Sequence, residues 1–182
     1  MLAATAALTA AGSSAFAQET PTAATCTGAD RLATEATIAQ TRAALTCLLN
    51  AARAERRLAP LRVEAHLQTA AQRYARALDP AKPLTHSGRG GSSPLDRIAD
   101  AGYGRGASGF SAAETLGRSQ GDLSAPAIRM TAWLASASTR KLLLSAKYRD
   151  VGIGVVSKGE ATTFVVEIAA RAKTAPPSSG SK

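Results

Sequence analysis

The feature that most constrains this fold is a β-hairpin pattern near the end of the chain. Val151, Ile153 and Val155 alternate with two glycines, and a β-branched run follows over residues 162–168. Residues 157–160, Ser-Lys-Gly-Glu, separate the two runs as a turn. Two such runs around a glycine-containing turn are typical of antiparallel strands. The chain is therefore expected to end in an antiparallel sheet.

Helical patterns precede the hairpin. Apolar spacing predicts one helix over residues 38–52 and a second over 67–78, which Asp79-Pro80 ends. Ser93-Pro94 predicts the start of a short helix that ends at Gly102. A strand is expected near residues 110–116, then a helix capped by Ser124, then a turn or helix over 138–144. Helices followed by a small antiparallel sheet, itself interrupted by helix, predict an α+β fold.

The two ends differ in composition from the rest. Residues 1–17 carry no charge and end in Ala-Phe-Ala, which predicts a secretory signal peptide, with a flexible Ala-rich tail as the alternative. Residues 18–34 are predicted to be a linker, 35–171 the single domain and 172–182 a disordered tail. No stretch reaches the roughly 20 apolar residues of a membrane span. The protein is therefore expected to be secreted or periplasmic, with no transmembrane segment in the mature chain.

The chain contains two cysteines, Cys26 and Cys47. In an exported protein an even pair predicts a disulfide. Such a bond closes a loop of roughly 20 residues and contributes on the order of 3 kcal/mol to stability. It would tie the N-terminal segment to the first helix.

The formal net charge is +9. The arginines are spread along the sequence, which predicts an ordinary solvated basic surface. The alternative is electrostatic adhesion to an anionic polymer, with binding that falls steeply as salt is added. Aromatic residues make up 4% of the chain, too few for a platform that stacks single-stranded nucleic acid. We therefore expect no specific nucleic-acid partner.

Seven motifs occur in an order that is shared with a known family. They are Cys47–Arg53, Leu67–Ala71, His86–Gly88, Arg97–Ile98 with Ala101–Tyr103, Ala113–Leu116, Trp133–Ser136 with Arg140, and Tyr148 with Val151–Val155. Together they resemble the CAP superfamily of cysteine-rich secretory, antigen 5 and pathogenesis-related-one proteins, in its short bacterial branch. The resemblance implies an α-β-α sandwich around a small antiparallel sheet.

The resemblance also implies a cleft, and here the chain departs from the family. The family cleft generally holds a divalent metal with two histidines and acids. This chain offers His86 and Glu114, whereas Thr139 stands where the second histidine is usual and Ser136 where an acid is sometimes found. Tyr103 is expected to pack near the same cleft. We therefore expect a ligand-binding cleft of His86, Glu114, Ser136, Thr139 and Tyr103 without catalytic residues.

Two protein ligands make a weak metal site, because a catalytic zinc site uses about three. No cofactor is therefore expected beyond weak binding of a divalent metal by His86 and Glu114. A direct hydrogen bond between these two residues is more plausible. The pair would either bind a polar ligand or pin the histidine loop to the sheet. His66 is expected at the surface or boundary, and Trp133 in the core.

These observations lead to one functional hypothesis and one alternative. The first is a non-catalytic module at the cell envelope that binds a ligand or a partner such as a lipid, a wall polymer or another envelope protein. The alternative is a metal-dependent, peptidase-like hydrolase that uses the degenerate His/Glu cleft.

Overall fold

The computed structural model describes residues 25–172. The predicted signal peptide and residues 173–182 of the predicted tail lie outside this range. Five helices and four strands follow one another along the chain. They are α1 (Ile38–Ala54), β1 (Arg62–Val63), α2 (Ala65–Ala77), α3 (Pro94–Asp100), β2 (Phe110–Gln120), α4 (Pro126–Ala135), α5 (Ala137–Leu143), β3 (Asp150–Lys158) and β4 (Ala161–Arg171).

The four strands form one sheet in the order β1-β3-β4-β2. The predicted hairpin is confirmed, since β3 and β4 pair antiparallel and Lys158 lies opposite Ala161. β2 pairs antiparallel with the other edge of β4. The two-residue β1 adds a parallel pairing to β3, which makes the sheet mixed. β2 also continues to Gln120, four residues beyond its predicted end.

Helices cover both faces of the sheet, as the resemblance implies. On one face, α1, α4 and α5 bury their apolar residues against Ile153, Phe164 and Val166. On the other face, α2 and α3 pack against Val165 and Ala169. Alternate residues of β4 point to opposite faces, which places Glu167 on the side that α2 and α3 cover. The fold is therefore an α+β sandwich of helices around a central sheet.

The two glycines of β3 let α2 lie directly on the strand. A Cβ on Gly152 would overlap the backbone of Leu67, and one on Gly154 would overlap that of Ala71. Beyond the short pairing with β1, the backbone of β3 forms hydrogen bonds with two side-chain amides of α2. Gln72 donates to the Val155 carbonyl at 3.0 Å and accepts from its N–H at 3.1 Å, and Gln68 bonds Ile153 in the same way. Helix α2 thus satisfies backbone groups of β3 at this edge of the sheet and covers the side chains on the sheet face below it, including Glu167.

The N-terminal part of the described chain is held against the core. Cys26 and Cys47 form the predicted disulfide, which joins the segment to α1. Cys26, Ala29 and Ala33 are buried with the cluster beside α1 and α4. The prediction that Ser124 caps α4 is wrong. Its hydroxyl accepts from the Ala33 N–H at 3.2 Å, and the N-cap of α4 is Ala125. The Ser124 hydroxyl bonds the N-terminal segment instead, and the sequence around Ser124 does not indicate this distant partner.

The longest helix among residues 25–172 is α1, with 17 residues. Within this range no helix combines the length and apolar character that a membrane span requires.

Candidate functional site

The predicted bond between His86 and Glu114 forms. His86 Nδ1 lies 2.6 Å from Glu114 Oε1. The two side chains differ sharply in exposure, at 60% for His86 and 1% for Glu114. Because a buried carboxylate accepts from Nδ1, that nitrogen carries the proton and Nε2 is directed away from the bond. The arrangement presents one imidazole in a fixed orientation and tautomer.

Arg97, from α3, engages the second oxygen of the same carboxylate. Its guanidinium donates to Glu114 Oε2 at 2.8 Å and to the backbone carbonyls of Ser92 at 2.7 Å and His86 at 3.2 Å. It also stacks on the Tyr74 ring, 3.5 Å from the centroid. One arginine therefore fixes both the carboxylate and the backbone of the histidine loop.

Loop residues 86–92 close tightly around this arginine. The Gly88 N–H donates to the Ser92 carbonyl at 2.8 Å. A Cβ on Gly88 would lie 2.5 Å from Ser92 Oγ and 3.1 Å from the Arg97 guanidinium, so no larger residue fits without displacing them. Tyr74 of α2 holds the start of the loop through a hydrogen bond from its hydroxyl to the Thr85 carbonyl. The histidine is therefore positioned from both α2 and α3.

A second acid, Glu167, lies under the first. It is opposite Glu114 in the pairing of β2 with β4 and is fully buried. Among the described residues no N–H or O–H donor reaches either of its carboxyl oxygens. Burial, then the negative charge of Glu114 and the hydrogen bond to it, raise the pKa of Glu167 far above its usual range, although Arg97 opposes this. Glu167 therefore holds a proton at neutral pH.

These residues do not suit the divalent metal of the family cleft. Both Glu114 oxygens and His86 Nδ1 are already bonded, and Glu167 is protonated beneath the helix. Within residues 25–172 no group of three or more His, Cys, Asp or Glu residues is placed to share a metal ion. A lone imidazole nitrogen is short of the three ligands that a catalytic zinc needs.

Ser136 and Thr139 lie at the junction of α4 and α5. Ser136 is the N-cap of α5, and its hydroxyl accepts from the Thr139 N–H at 3.5 Å. Trp133 holds this junction to the sheet as a buried anchor, as predicted, and donates from its indole to the Leu116 carbonyl at 3.0 Å. In the described part of the chain no hydrogen bond links Ser136 or Thr139 to His86 or Glu114. Their place in a shared cleft stays a prediction.

Tyr103 belongs to a different cluster. Its hydroxyl donates to Asp150 Oδ2 at 2.8 Å, and the Arg171 guanidinium lies over its ring at 4.1 Å. Burial, the hydrogen bond to Asp150 and the charge of that carboxylate raise the pKa of Tyr103. Arg62 also bonds Asp150, at 2.8 Å. This cluster joins the start of β3 to the end of β4, because Tyr103 and Arg171 both contact Asp150. Its contacts hold the fold together.

The same cluster extends to His66. Its Nδ1 lies 2.8 Å from Glu64 Oε1, and Arg171 reaches the same oxygen at 3.0 Å. Burial alone would raise the pKa of Glu64, but hydrogen bonds from His66, the Leu67 N–H and Arg171 lower it overall. His66 is half-exposed, as expected for a boundary residue.

A cavity of about 230 Å³ lies beside the histidine loop, between α2 and α3. Tyr74 and Ala70 contribute apolar surface. Arg73, Arg89 and Arg97 contribute positive charge, which Asp100 offsets in part. Three further cavities, of about 220, 320 and 380 Å³, lie along the α2–β3 edge and at the turns near residues 121 and 159. Only the first adjoins Arg97 and Gly88, so it is the pocket associated with the His86 site.

Sequence reasoning found His86 and Glu114 but missed Glu167 and the role of Arg97. The signal for Glu167 was present as a single acid inside the β-branched run of residues 162–168. A charge in a buried strand requires a partner, and the alternation of β4 could have shown that it faces the same side as Val165. Arg97 was noted only as part of a motif.

Comparison with known proteins agrees with this architecture. The CAP model, described as the cysteine-rich secretory protein family, matches residues 47–168. No significant match is found among curated protein sequences.

Several solved structures share the fold. An extracellular protein with an SCP domain from Bacillus anthracis aligns with a TM-score of 0.62 at 18% identity, covering 75% of this chain and 43% of that protein. An outer surface protein of Borrelia burgdorferi gives 0.56 at 24% identity, covering 66% and 84%. A cysteine-rich secretory protein of Staphylococcus aureus gives 0.50 at 16% identity, covering 74% and 40%.

This chain thus spans less than half the length of two of the three neighbours. At these identities the structural likeness establishes the fold, and the match over residues 47–168 establishes the family. The chain belongs to the cysteine-rich secretory protein, or CAP, family.

Proposed function

We propose that this protein is an exported, non-catalytic binding module of the cell envelope, and that it recognises a polar anionic ligand beside His86. The observation that carries the proposal is the fixed imidazole. Buried Glu114 holds Nδ1 at 2.6 Å, while the ring is 60% exposed. The imidazole therefore offers Nε2 to a ligand without having to reorganise.

The surroundings of His86 supply what an anion needs. Arg73 and Arg89 line the cavity of about 230 Å³, and neither makes an ion pair within residues 25–172. Arg97 is already bonded to Glu114, so the two free guanidiniums are the groups available to a ligand. Guanidinium groups bind carboxylate and phosphate through paired hydrogen bonds.

Catalysis is not supported by the same geometry. A nucleophile would have to lie within hydrogen-bond reach of the imidazole base. Among the described residues the His86 ring hydrogen-bonds only to Glu114, and no serine, threonine or cysteine makes a hydrogen bond to it. The metal-dependent hydrolase needs about three protein ligands, which this cleft does not bring together among the described residues, and it is the weaker hypothesis.

Inorganic phosphate tests the binding proposal. The NMR signal of the His86 Cε1–H should shift saturably with phosphate in the wild type. It should lose that response in an Arg73→Gln/Arg89→Gln variant, which leaves the imidazole and its carboxylate intact. An unchanged response in the double variant would show that the cavity does not take part in phosphate recognition.

Zinc calorimetry tests the hydrolase alternative. Wild-type protein should bind Zn²⁺ no more tightly than His86→Ala, because one free imidazole nitrogen is a single ligand. Thr139→His restores the family's second histidine and should bind more tightly. Micromolar binding by the wild type that is lost in His86→Ala would instead reveal further ligands and favour the hydrolase.

A further inference from the structure

Basic residues that are far apart in the sequence converge at one end of the molecule. We call this end the basic pole and define it by seven residues from two segments, 53–57 and 140–149. They are Arg53, Arg56, Arg57, Arg140, Lys141, Lys147 and Arg149. The sequence predicted an evenly solvated basic surface, but the fold gathers this group together.

Arg53 is the residue that joins the two segments. It is fully buried at the end of α1, and its guanidinium donates to the carbonyls of Leu143 at 2.8 Å and Ser145 at 3.0 Å. The Arg62 N–H then donates to the Arg149 carbonyl at 2.9 Å. Arg56 and Arg57, in the turn that follows α1, are therefore on the same side of the molecule as the cations of α5 and the loop after it.

The positive charge of the basic pole is not neutralised within residues 25–172. None of its seven residues makes an ion pair there, and the only acid in the two segments is the exposed Glu55. Asp150 comes next in sequence, but it is buried and already bonded to Arg62 and Tyr103. The C-termini of α1 and α5 each offset roughly half a charge, so most of the excess remains.

The like charges are close enough to act on one another. Burial lowers the pKa of Arg53, and repulsion from Arg149 lowers it further. One terminal nitrogen of Arg53 is buried without a hydrogen-bond acceptor in the described chain. An anion bound over this end would reduce the repulsion, which points to a negatively charged partner.

We propose that the basic pole binds a linear phosphate-rich polymer. Five of its cations are exposed and Arg140 is partly exposed. Three of the five are arginines, whose guanidiniums pair with phosphate oxygens. None of the four cavities described above is lined by a residue of the basic pole.

Two observations favour a polymer over a phospholipid surface. The two segments of the pole contain no exposed large hydrophobic residue, and only Val63, which follows Arg62 in β1, is close to them in the sheet pairing, so the segments themselves have no side chain to insert among acyl chains. Its cations also come from a helix end, a second helix and a loop. A flexible chain can follow such an array, whereas a planar membrane contacts one side of it.

This inference does not rest on the proposed function. The basic pole shares no residue with the His86 cavity, so either surface can be removed while the other is kept. Polymer binding should therefore persist in Arg73→Gln/Arg89→Gln, and the phosphate response of His86 should persist when the pole is neutralised.

Labelled long-chain inorganic polyphosphate is the probe, measured by fluorescence anisotropy with the protein. Arg56→Gln/Lys141→Gln/Lys147→Gln changes three exposed residues whose side chains make no hydrogen bond within residues 25–172. Arg31→Gln/Arg105→Gln/Lys158→Gln removes the same charge elsewhere and is the matched control. We expect the pole variant to bind about tenfold more weakly, the control to change by less than about threefold, and wild-type affinity to fall by about tenfold or more between about 50 and 200 mM NaCl.

Three results would overturn the proposal. Equal losses in the two triple variants would show that net charge, and not the pole, drives binding. Salt-independent binding would exclude an electrostatic contact. Tighter binding per phosphate to vesicles of phosphatidylglycerol and phosphatidylcholine than to polyphosphate would assign the pole to membranes instead.

Discussion

Charge is concentrated in two regions of this protein, the His86 cluster and the basic pole, which differ in burial and in whether each charge has a partner. In the His86 cluster, two glutamates are buried and the side chain of Arg97 is 12% exposed. Both acids are matched, Glu114 by an ion pair and Glu167 by a bound proton. In the basic pole, five exposed cations and the partly exposed Arg140 have no acidic partner among the described residues. The difference is exposure to water, which stabilises an unpaired charge at the surface but has little access to the buried glutamates.

The comparison separates structural charge from charge that is available to a partner. The buried cluster is committed to holding β2, α3 and the histidine loop together, and it presents only the His86 ring to solvent. The exposed cations of the basic pole make few contacts that hold elements of the fold together. Mutations should therefore affect folding in the first region and binding in the second.

The largest effect is expected from Arg97→Met. It leaves the Glu114 carboxylate buried without its cation, which typically costs about 3–5 kcal/mol of unfolding free energy. Arg56→Met, the same change in the basic pole, should cost less than about 0.5 kcal/mol. Urea unfolding at neutral pH measures both.

Removing the stranded charge should restore stability. Glu114→Gln combined with Arg97→Met should recover much of the lost free energy, because no buried carboxylate then lacks a partner. Equal losses in Arg97→Met and Arg56→Met would end the distinction between the two regions.

A smaller, pH-dependent effect is expected from Glu167→Gln. The pKa of Glu167 is raised above its ordinary value of 4.5, so the folded state keeps a proton that the unfolded state releases. The stability from this proton is complete below that value and falls as the pH rises, by about 1.4 kcal/mol per pH unit until the folded-state pKa is reached. Glutamine does not titrate, so the variant should gain about 3 kcal/mol relative to wild type between pH 5 and 7.

Chemical unfolding at several pH values measures this slope. Glu160→Gln, on the exposed turn between β3 and β4, is the control and should leave the pH dependence of wild type nearly unchanged. A parallel pH dependence for wild type and Glu167→Gln would mean that Glu167 is ionised in the fold, and the buried cluster would then carry an unmatched negative charge.

The sequence revealed the parts of this molecule that depend on local pattern. Alternation at Val151–Val155 predicted the hairpin, and helical spacing predicted α1 and α2, because each pattern reports which side of an element is buried. The His86–Glu114 bond was predicted from the family resemblance and forms, whereas a role for it in ligand binding stays a prediction.

The two charged regions depend on the partners that the fold supplies. Glu167 meets Glu114 through strand pairing, and Arg53 meets Arg149 through the docking of α1 beside α5. Each partner is tens of residues away along the chain. Neither residue's neighbours in the sequence indicate whether its charge will be buried, matched or left in excess.

The smallest expected effect concerns the excess charge itself. Neutralising one cation of the basic pole, Lys147→Gln, should stabilise the fold by about 0.3 kcal/mol at low ionic strength, because it reduces repulsion among exposed like charges. The gain should vanish in high salt, which screens the same repulsion in wild type. Lys158→Gln, beside the turn that carries Glu160, should give no such gain, because an acid already lies near that lysine in the sequence. Thermal unfolding across a salt series measures the difference, and a gain in Lys147→Gln that persists in high salt would show that its origin is not electrostatic.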